Sequence, residues 1–210
     1  MIELRNICKH YGKKTIYNNL NIKIKDNKIT VITGNSGCGK STLLNIIGLI
    51  DECESGDVII DNIKTKKIGS LFNSKIIRSK ISYLFQNYAL IDDYTIRDNL
   101  LIALKYTNYS KQRKEKIMND IVKVVNLDIS LDQYIYECSG GEQQRIALAR
   151  ALIKPSKIIL CDEPTGNLDS DNAMLIMKLL KLVKDKYHKC IVVVTHDLRM
   201  LEIADVHYQL

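Results

Sequence analysis

The feature that most constrains this sequence is a glycine-rich segment, Gly34–Ser41, which reads Gly-Asn-Ser-Gly-Cys-Gly-Lys-Ser. It matches the pattern G-x-x-x-x-G-K-[S/T], in which glycines let backbone amides approach phosphate oxygens closely. A β-branched run, Thr30–Thr33, precedes the segment, and the apolar segment Ser41–Ile50 follows it with helical character. A helix in that place would point its positive end at bound phosphates. The segment therefore predicts a loop that binds nucleotide phosphates.

Two residues of this loop have chemistry of their own. Lys40 would reach the β- and γ-phosphates of a nucleotide, and the Ser41 hydroxyl would coordinate magnesium. A merely flexible glycine turn is the alternative interpretation, and the strand before the loop and the helix after it argue against that alternative. The predicted phosphate contacts are Gly34, Asn35, Ser36, Gly37, Cys38, Gly39, Lys40, Ser41 and Thr42.

A pair of acidic residues, Asp162 and Glu163, follows the apolar run Lys157–Cys161. Continuous apolar runs are typical of parallel strands covered on both faces, so the acids would lie at the carboxyl edge of a sheet, where α/β proteins bind ligands. Asp162 would hold magnesium through water, and Glu163 would act as the general base on the attacking water. Strands often end in acidic surface residues, so this pair indicates a catalytic site only in combination with the phosphate loop.

The segment Ser139–Arg145 reads Ser-Gly-Gly-Glu-Gln-Gln-Arg and opens the apolar, helix-like segment Ile146–Leu152. The free amides at such a helix start would form a second anion site. The same residues could be an ordinary serine N-cap with Glu142 as its capping-box partner. The two interpretations are compatible, because a capped helix start is what would receive a phosphate.

The remaining patterns predict the class of fold. Cys190–Thr195 is a second continuous apolar run, and the amphipathic segment Asn172–Tyr187 lies before it, so a βαβ unit is expected. Ile2–Ile7 alternates apolar and polar residues, as a half-buried strand does, and Val58–Ile60 and Ile81–Phe85 are further short strand candidates. The segment Tyr94–Ile153 has a helical pattern. We therefore expect an α/β core at both ends of the chain with a helical insertion in the middle.

Length and composition narrow the class of protein. A chain of 210 residues suits one compact domain, and no apolar stretch approaches the ~18 residues of a membrane helix. The N-terminus lacks the layout of a secretory signal, so we expect a cytosolic protein. The six cysteines form no Cys-x-x-Cys pair, and we interpret them as small apolar residues. The net charge of +7 would suit nucleic acid, anionic lipid or nucleotide phosphates, and charge alone leaves all three open.

The three motifs occur in the order of one known family. The loop Gly34–Ser41, the Ser-Gly-Gly-Glu-Gln segment at 139–143 and the acidic pair at 162–163 resemble the motif set of ABC ATPases, over essentially the whole chain. The resemblance implies an α/β fold of the P-loop NTPase class, with a RecA-like mixed sheet core, an antiparallel β edge and a helical subdomain. We expect a single ABC ATP-binding domain at 1–210, with its core at 1–86 and 154–210 and the helical subdomain at about 87–153. Cys138 departs from the family, which usually carries leucine there, and its side chain would pack rather than bind.

Four further residues resemble family positions one at a time. Tyr11 resembles the aromatic residue that stacks on adenine, and His196 resembles the histidine that contacts the γ-phosphate. Gln86 resembles the glutamine that senses the γ-phosphate and faces the membrane partner, and Asp169 resembles the aspartate that communicates across the dimer. The alternative interpretations are that Tyr11 only packs against its neighbours and that His196 has a structural role.

The resemblance also implies the cofactors, ATP and Mg²⁺, and the residues that would contact them. The implied catalytic residues are Lys40, Gln86, Glu163 and His196. The implied metal ligands are Ser41, Gln86 and Asp162. Beyond the phosphate loop, the implied nucleotide contacts are Tyr11, Ser139, Gly140, Gly141, Glu142 and Asp169.

The resemblance implies two protein partners. Ser139–Gln143 of one subunit would close on ATP held by Gly34–Ser41 of the other, in a homodimer or with a paired ATPase subunit. An integral-membrane permease would be the second partner, so the chain would be peripheral on the cytoplasmic face of the cell membrane; no nucleic-acid partner is expected. Ile47–Gly56 and Glu163–Asp169 most resemble the branch that releases lipoproteins or exports macrolides and antimicrobial peptides. The prediction is an ATP-hydrolysing subunit for export of a peptide, lipid or antimicrobial.

Three other functions stay open at this point. A small-molecule P-loop kinase would share the loop and magnesium but would not need Ser139–Gln143, nor the pair Gln86 and His196. An ABC ATPase of DNA repair would carry long coiled coils and one of the ribosome two ATPase domains, and we expect 210 residues to fit neither. A signalling ABC ATPase of the cell-division type, which moves no solute, is the hardest alternative to separate from a transporter.

Overall fold

The computed structural model describes residues 1–166 and 168–210 of the chain. The strands are β1 (Ile2–Tyr11), β2 (Lys14–Ile24), β3 (Ile29–Thr33), β4 (Ser55–Ile60), β5 (Ile63–Lys64), β6 (Ile81–Leu84), β7 (Ile158–Asp162), β8 (Cys190–Thr195) and β9 (Val206–Gln209). The α-helices are α1 (Lys40–Ile47), α2 (Leu71–Lys80), α3 (Ile96–Ala103), α4 (Lys111–Val124), α5 (Gly140–Ile153) and α6 (Ser170–Tyr187). Two 3-10 turns, Ile135–Glu137 and Leu198–Ile203, precede α5 and β9.

One sheet is parallel, with the strand order β6-β7-β8-β3-β9. Every residue of β3 and β8 is buried, as expected for strands with both faces covered. Thr33 pairs with Thr195 and Asp162 pairs with Val194, so β3, β8 and β7 end at the same edge of the sheet. Helix α6 connects the parallel neighbours β7 and β8, which confirms the predicted βαβ unit. The phosphate loop and the acidic pair both begin at this edge.

The other sheet is antiparallel, with the strand order β2-β1-β4-β5. β1 and β2 form a hairpin in which Gly12 has a φ of 58° and Tyr11 pairs with Lys14. Apolar side chains of this sheet, α1 and the parallel sheet form one buried cluster, which includes Ile7, Leu43 and Val192. The antiparallel strands that the family resemblance implies are thus present, and they form a sheet of their own.

The chain between β6 and β7 is helical, as its sequence pattern predicts, and contains α3, α4 and α5. The apolar side chains of these helices join a second buried cluster that also includes residues of the parallel sheet. Four consecutive residues of α5, Ile146–Ala149, are fully buried, so this helix lies at the centre of the helical segment. The division of the chain into a core and a helical subdomain stays a prediction.

Four elements are not predicted from the sequence patterns, namely β2, β5, α2 and β9. The pairing of β2 with β1 contains register shifts, and Asn19 has a φ of 60°, so the alternation of apolar residues along β2 is interrupted. Helix α2 buries only Asn73 and Ile76, which leaves little apolar periodicity to detect. Helix α1 ends at Ile47 and not near Ile50 as expected, because Leu49 adopts a φ of 59°.

Within the described residues, no helix is both long enough and apolar enough to cross a bilayer. The six cysteines are free thiols. Cys138, Cys161 and Cys190 are buried, which agrees with their interpretation as small apolar residues, whereas Cys8, Cys38 and Cys53 are half-buried. Cys138 packs in the cluster of the helical segment, as expected for the residue that replaces leucine.

Candidate nucleotide-binding site

The loop Gly34–Ser41 connects β3 to α1 in a shape that requires glycine. Gly37 (φ 76°) and Gly39 (φ 110°) have left-handed backbone conformations. Gly39 also lies against β2, since a Cβ atom there would come within 2.6 Å of the Ile16 side chain. The Tyr17 hydroxyl donates a hydrogen bond to the Gly39 carbonyl (2.6 Å). The antiparallel sheet therefore supports the loop from one side.

Lys40 is the buried cation of this loop. The residue is 8% exposed, and its Nζ donates hydrogen bonds to the backbone carbonyls of Gly34 (2.8 Å) and Asn35 (3.0 Å). Both carbonyls belong to the loop, so the charge lies within the curve of its backbone. A cation that is shielded from water attracts an anion more strongly than an exposed one does. The position of Lys40 suits phosphate binding.

Ser41 and Asp162 link the start of α1 to the end of β7. The Ser41 hydroxyl donates a hydrogen bond to Asp162 Oδ1 (3.0 Å). Burial raises the pKa of Asp162, and the hydrogen bond from Ser41 opposes this shift. A hydroxyl and a carboxylate so close together offer the oxygen ligands that Mg²⁺ prefers. The residues present therefore fit the predicted metal.

Glu163 holds an unusual backbone conformation directly after β7. Its φ of 46° is uncommon for a residue other than glycine. Its backbone amide donates to the Val194 carbonyl (2.9 Å), and its carboxylate accepts hydrogen bonds from Thr195 Oγ1 (2.7 Å) and the His196 amide (3.1 Å). The ring Nδ1 of His196 lies 3.0 Å from the same carboxylate. These bonds fix the carboxylate and offset the backbone strain, which is a combination often found at functional sites.

These groups surround a cleft of about 420 Å³ that we call the loop cleft. It gathers side chains from β1, β2, the phosphate loop and the segments that follow β6, β7 and β8. The residues that line it are Tyr11, Lys14, Ile16, Ser36, Gly37, Gly39, Lys40, Ser41, Thr42, Gln86, Glu163 and His196. Residues that lie far apart in the sequence and were predicted separately are thus brought to one place.

Tyr11 is half exposed at the rim of the loop cleft and is held there by charged neighbours. Its hydroxyl donates a hydrogen bond to Asp51 Oδ2 (2.5 Å), and Lys9 Nζ donates to Asp51 Oδ1 (2.8 Å). Lys9 Nζ also lies 4.8 Å from the centre of the Tyr11 ring. Although burial raises the pKa of Asp51, the hydrogen bonds from Lys9 and Tyr11 hold that pKa below its usual value. The ring is therefore fixed at both its hydroxyl and its face.

Sequence reasoning missed Lys14 and Ile16, which line the loop cleft, and Tyr17, which supports the phosphate loop from outside the cleft. Lys14 Nζ donates a hydrogen bond to the Gly37 carbonyl (3.2 Å), and Ile16 and Tyr17 lie against Gly39. All three belong to β2, whose irregular pairing with β1 conceals it in the sequence. The apolar residues of β2, together with the glycine turn before it, are the signal that could have revealed this strand.

The Ser139–Glu142 segment does not line the loop cleft, and its own side chains cap helix α5. The Ser139 hydroxyl accepts a hydrogen bond from the Glu142 amide (3.4 Å), and the Ser139 amide donates one to Glu142 Oε2 (2.8 Å). The hydrogen bonds from Ser139 lower the pKa of Glu142. Ser139 and Gly140 are exposed, so this capped helix start is open to a partner.

Asp169 lies with that segment and not with the loop cleft. Its carboxylate accepts hydrogen bonds from the amide (2.8 Å) and the side-chain nitrogen (2.8 Å) of Asn172, and so caps α6. Asn172 in turn accepts a hydrogen bond from Arg145 Nη1 (2.8 Å) and lies against Gly141. We call Ser139–Glu142, Asp169 and Asn172 the Ser139 cluster. The structure thus divides the predicted site residues between two places.

Comparison with known proteins identifies the family. The model of the ABC transporter family matches residues 17–166, which is more than half of the chain. This chain belongs to the ABC transporter family.

Individual relatives from this family align with nearly the whole chain. The ABC transporter ATP-binding protein MJ0796 of Methanocaldococcus jannaschii is 41% identical over 98% of this chain and 91% of its own length. The lipoprotein-releasing system ATP-binding protein LolD of Treponema denticola is 37% identical over 94% of this chain and 88% of its own length. The macrolide export ATP-binding/permease protein MacB of Campylobacter jejuni is 35% identical over 98% of this chain, which spans only 33% of MacB.

Solved structures of ABC transporter proteins resemble the fold closely. A dimeric structure of MJ0796, described as a bacterial ABC transporter cassette, has a TM-score of 0.91 and 39% identity, and covers 100% of this chain and 94% of that one. A dimeric post-hydrolysis state of MJ0796 bound to ADP and Pi also has a TM-score of 0.91, at 38% identity. The predicted fold class, family and ABC ATPase class are therefore confirmed. The roles of the individual site residues stay predictions.

Proposed function

We propose that this chain is the ATP-binding and ATP-hydrolysing subunit of an exporter, which dimerises on ATP and drives a separate membrane permease. The observation that carries the proposal is the separation of the loop cleft from the Ser139 cluster within one chain. The cleft contains a buried cation and a fixed carboxylate. The Ser139 cluster contains an exposed, capped helix start. A second copy could bring the two together around one nucleotide.

In the loop cleft, each end of ATP would have its own contacts. The loop amides and Lys40 would bind the β- and γ-phosphates. The exposed ring of Tyr11, fixed by Asp51 and Lys9, would stack on adenine. The remaining phosphate contacts would come from the first turn of α1, where Ser41 and Thr42 line the cleft.

Hydrolysis would rely on Glu163. Its carboxylate would take the proton of a water molecule as the water oxygen attacks the γ-phosphorus and the bond from that phosphorus to the β–γ bridging oxygen breaks. The hydrogen bonds from Thr195 and His196 would aim the carboxylate at that water. Gln86 and the exposed ring of His196 would contact the γ-phosphate from the other walls of the cleft.

Ser41, Asp162 and Gln86 would hold Mg²⁺. Ser41 and Asp162 are already within hydrogen-bond distance, and Gln86 lines the same cleft as Ser41. When bound, Mg²⁺ would neutralise charge on the phosphate oxygens. The residues themselves would set its position, because the Ser41–Asp162 bond ties the helix start to the sheet edge.

The dimer would complete the site. Ser139 and the amides of Gly140 and Gly141 would add hydrogen-bond donors to the γ-phosphate of ATP held by the other copy, and Asp169 would lie beside them at the interface. The two structures of MJ0796 are dimeric, which supports this arrangement for a chain 39% and 38% identical to them.

A groove outside the loop cleft offers a place for the permease. It measures about 440 Å³, and exposed or half-exposed apolar side chains line it, namely Ile50, Ile77, Tyr83, Phe85, Ile102 and Tyr106. Phe85 directly precedes Gln86, so a segment bound in the groove would be one residue away from the loop cleft. The names of LolD and MacB support lipoprotein release or macrolide-like export as the process served.

The dimer is tested with the variant Glu163→Gln, which should bind ATP and hardly hydrolyse it. Its mass, measured by light scattering, should double on addition of ATP and Mg²⁺ and return to that of one chain when they are removed. Ser139→Ala in the same background is the matched variant and should reduce the dimer fraction. A Glu163→Gln protein that stays monomeric at saturating ATP would contradict the proposal.

The permease is tested by capture from native membranes. The chain should retain one integral membrane protein, and the groove substitution Tyr106→Glu should release it without changing ATP affinity. Tyr136→Glu is the control, since Tyr136 is equally exposed (61%, against 62% for Tyr106) and lies outside the groove. Capture that is equal for both variants would place the partner elsewhere. The identity of the captured protein separates an exporter from a signalling complex.

A further inference from the structure

The positive charge of this chain is concentrated in one segment. Residues 62–91 contain six basic residues and no acidic residue, whereas the other 180 residues contain 25 basic and 24 acidic ones. The segment therefore supplies +6 of the net charge of +7. It includes β5, α2 and β6, and it lies outside the phosphate loop. Phosphate binding in the loop cleft does not account for it.

Only two of the six basic side chains are neutralised by carboxylates. Lys64 pairs with Asp57 (2.6 Å), and Lys80 pairs with Asp61. The other four are exposed, and none forms an ion pair with a carboxylate in the described part of the chain. These four are Lys66, Lys67, Lys75 and Arg78.

Apolar side chains project from the same surface. Leu71, the first residue of α2, is 90% exposed, and its neighbour Phe72 is 38% exposed. Helix α2 buries Asn73 and Ile76 on its other side, so Leu71 and Lys75 face away from the body of the protein. An exposed leucine surrounded by cations is unfavourable in water. It is favourable at the boundary between lipid headgroups and acyl chains, where the cations contact headgroups and the leucine contacts acyl chains.

Aromatic rings hold two of the cations on this surface. Lys66 Nζ lies 5.0 Å from the centre of the Phe72 ring, and the Arg78 guanidinium lies 4.4 Å from the centre of the Tyr106 ring. Arg78 and Tyr106 also line the groove proposed for the permease. The surface and the groove are therefore continuous, and both would face the membrane.

We propose that this surface binds the anionic headgroups of the lipid bilayer. We call it the α2 face, and its members are Lys66, Lys67, Leu71, Phe72, Lys75 and Arg78. The lysines and Arg78 would lie among the headgroups, and Leu71 would enter the boundary beneath them. The proposal that the α2 face lies toward the membrane rests on the proposed permease function, whereas binding to lipid follows from the residues of the α2 face itself.

Charge favours lipid over protein as the partner of the α2 face. Cytoplasmic loops of membrane proteins carry an excess of lysine and arginine. A face with four unpaired cations and no carboxylate would be repelled by such loops and attracted by an anionic leaflet. The apolar groove, by contrast, suits a protein segment.

The test is sedimentation of the purified chain with phosphatidylcholine vesicles, with and without phosphatidylglycerol. We expect binding only where phosphatidylglycerol is present, and a loss of most of it near 1 M salt, where the screening length falls to about 3 Å. The triple variant Lys66→Gln, Lys67→Gln, Lys75→Gln should bind anionic vesicles about 100-fold more weakly. Leu71→Ser alone should remove the part of the binding that resists salt.

The control is a triple variant on α6, Lys178→Gln, Lys181→Gln, Lys186→Gln, which removes three exposed lysines that form no ion pair with any of the residues that the structure describes. It should bind vesicles at least tenfold more tightly than the α2 triple. Equal losses in the two triples, or binding that ignores phosphatidylglycerol, would overturn the proposal. The proposal would also be overturned if the unmodified chain bound no vesicle and the α2 triple lost only its capture of the integral membrane protein. The α2 face would then contact protein. ATP affinity, measured in parallel, reports on the proposed nucleotide site independently.

Discussion

The two glycine-containing helix starts of this molecule differ in what they can bind alone. Helix α1 starts at Gly39, which provides no side-chain cap, and its first turn contains no acidic residue. Helix α5 starts at Ser139, which forms a capping box with Glu142 in the first turn. A carboxylate near a helix N-terminus offsets the positive end of the helix dipole. The start of α5 is therefore partly neutralised, whereas the start of α1 is not.

The residues around the two helix starts increase this difference in anion binding. Lys40, Asp162 and Glu163 converge on the start of α1 from separate segments, and the resulting cleft has both a cation for phosphate and a fixed carboxylate for proton transfer. The start of α5 has Asp169 and Asn172 beside it, which bond to each other. A glycine-opened helix is thus a strong anion site only when other segments supply charge. The start of α5 would act on nucleotide only when a second copy brings it.

The largest effect should come from the carboxylate in the loop cleft. Glu163→Gln removes the proton acceptor but keeps the side-chain shape, so turnover should fall by roughly 10²–10⁴-fold with ATP affinity preserved. Phosphate release and equilibrium ATP binding measure the two effects. Glu202→Gln, an exposed carboxylate outside the cleft, should leave both unchanged. Wild-type turnover in Glu163→Gln would remove the chemical distinction between the two helix starts.

The next effect should come from the cation of the loop. Lys40→Ala removes a charged donor from a buried position, and ATP affinity should fall on the order of 100-fold, given two charge-assisted hydrogen bonds to phosphate. Isothermal titration of the single chain measures it. The surface substitution Lys178→Ala is the control for a general loss of positive charge. Equal ATP affinities of the two variants would mean that Lys40 at the start of α1 does not bind the phosphates.

A smaller effect should come from the second helix start. Ser139→Ala should leave ATP binding by the monomer unchanged and slow turnover about tenfold, because one neutral donor to the γ-phosphate is lost in the dimer. Loss of the helix cap would also cost about 1 kcal/mol of folding free energy. Ser110→Ala, which removes the corresponding cap of α4, separates the two effects, since it should lower stability and spare turnover.

Mixed dimers make the comparison decisive. A chain carrying Lys40→Ala and a chain carrying Ser139→Ala are each defective alone. If each site takes its loop from one copy and its Ser139 from the other, a mixed dimer has one site with both defects and one intact site. The mixture should then exceed the activity of both single variants. Activity equal to the average of the two would mean that each site lies within one chain.

The sequence reveals those parts of the site whose residues are neighbours along the chain. The phosphate loop, the acidic pair and the capping box each lie within a few residues, and their local geometry follows from glycine, strand-end and N-cap chemistry. The convergence of Gln86, Glu163 and His196 on the loop was expected from family resemblance, and the parallel order of the strands explains it physically.

Contacts between distant segments could not be predicted in this way. Asp51 holds the Tyr11 hydroxyl from 40 positions along the chain, and nothing in the local sequence pairs them. Lys14 and Ile16 were missed because β2 was missed. The left-handed backbone of Glu163 was also missed, because it depends on hydrogen bonds between Glu163 and the adjacent strand β8. Short sequence motifs predict which residues bind or react with the nucleotide, whereas the strand order determines which distant residues contact and support them.

The smallest effect should come from the bond that fixes Tyr11. Tyr11→Phe and Asp51→Asn each weaken the contact between the ring and Asp51, so ATP affinity should fall about fivefold in each. Affinity for inorganic tripolyphosphate, which has no base, should not change. The double variant should be no weaker than either single one, because both lose the same interaction.

Tyr11→Ala separates the two ways in which this prediction can fail. If Tyr11→Ala leaves ATP affinity unchanged, the ring does not contact the base, and the loop cleft recognises ATP by its phosphates alone. If Tyr11→Ala weakens ATP binding while Asp51→Asn does not, the ring contacts the base without support from Asp51. The first result would mean that the site at the start of α1 binds ATP only through its charged groups. The second would mean that the backbone of β1 alone positions the ring.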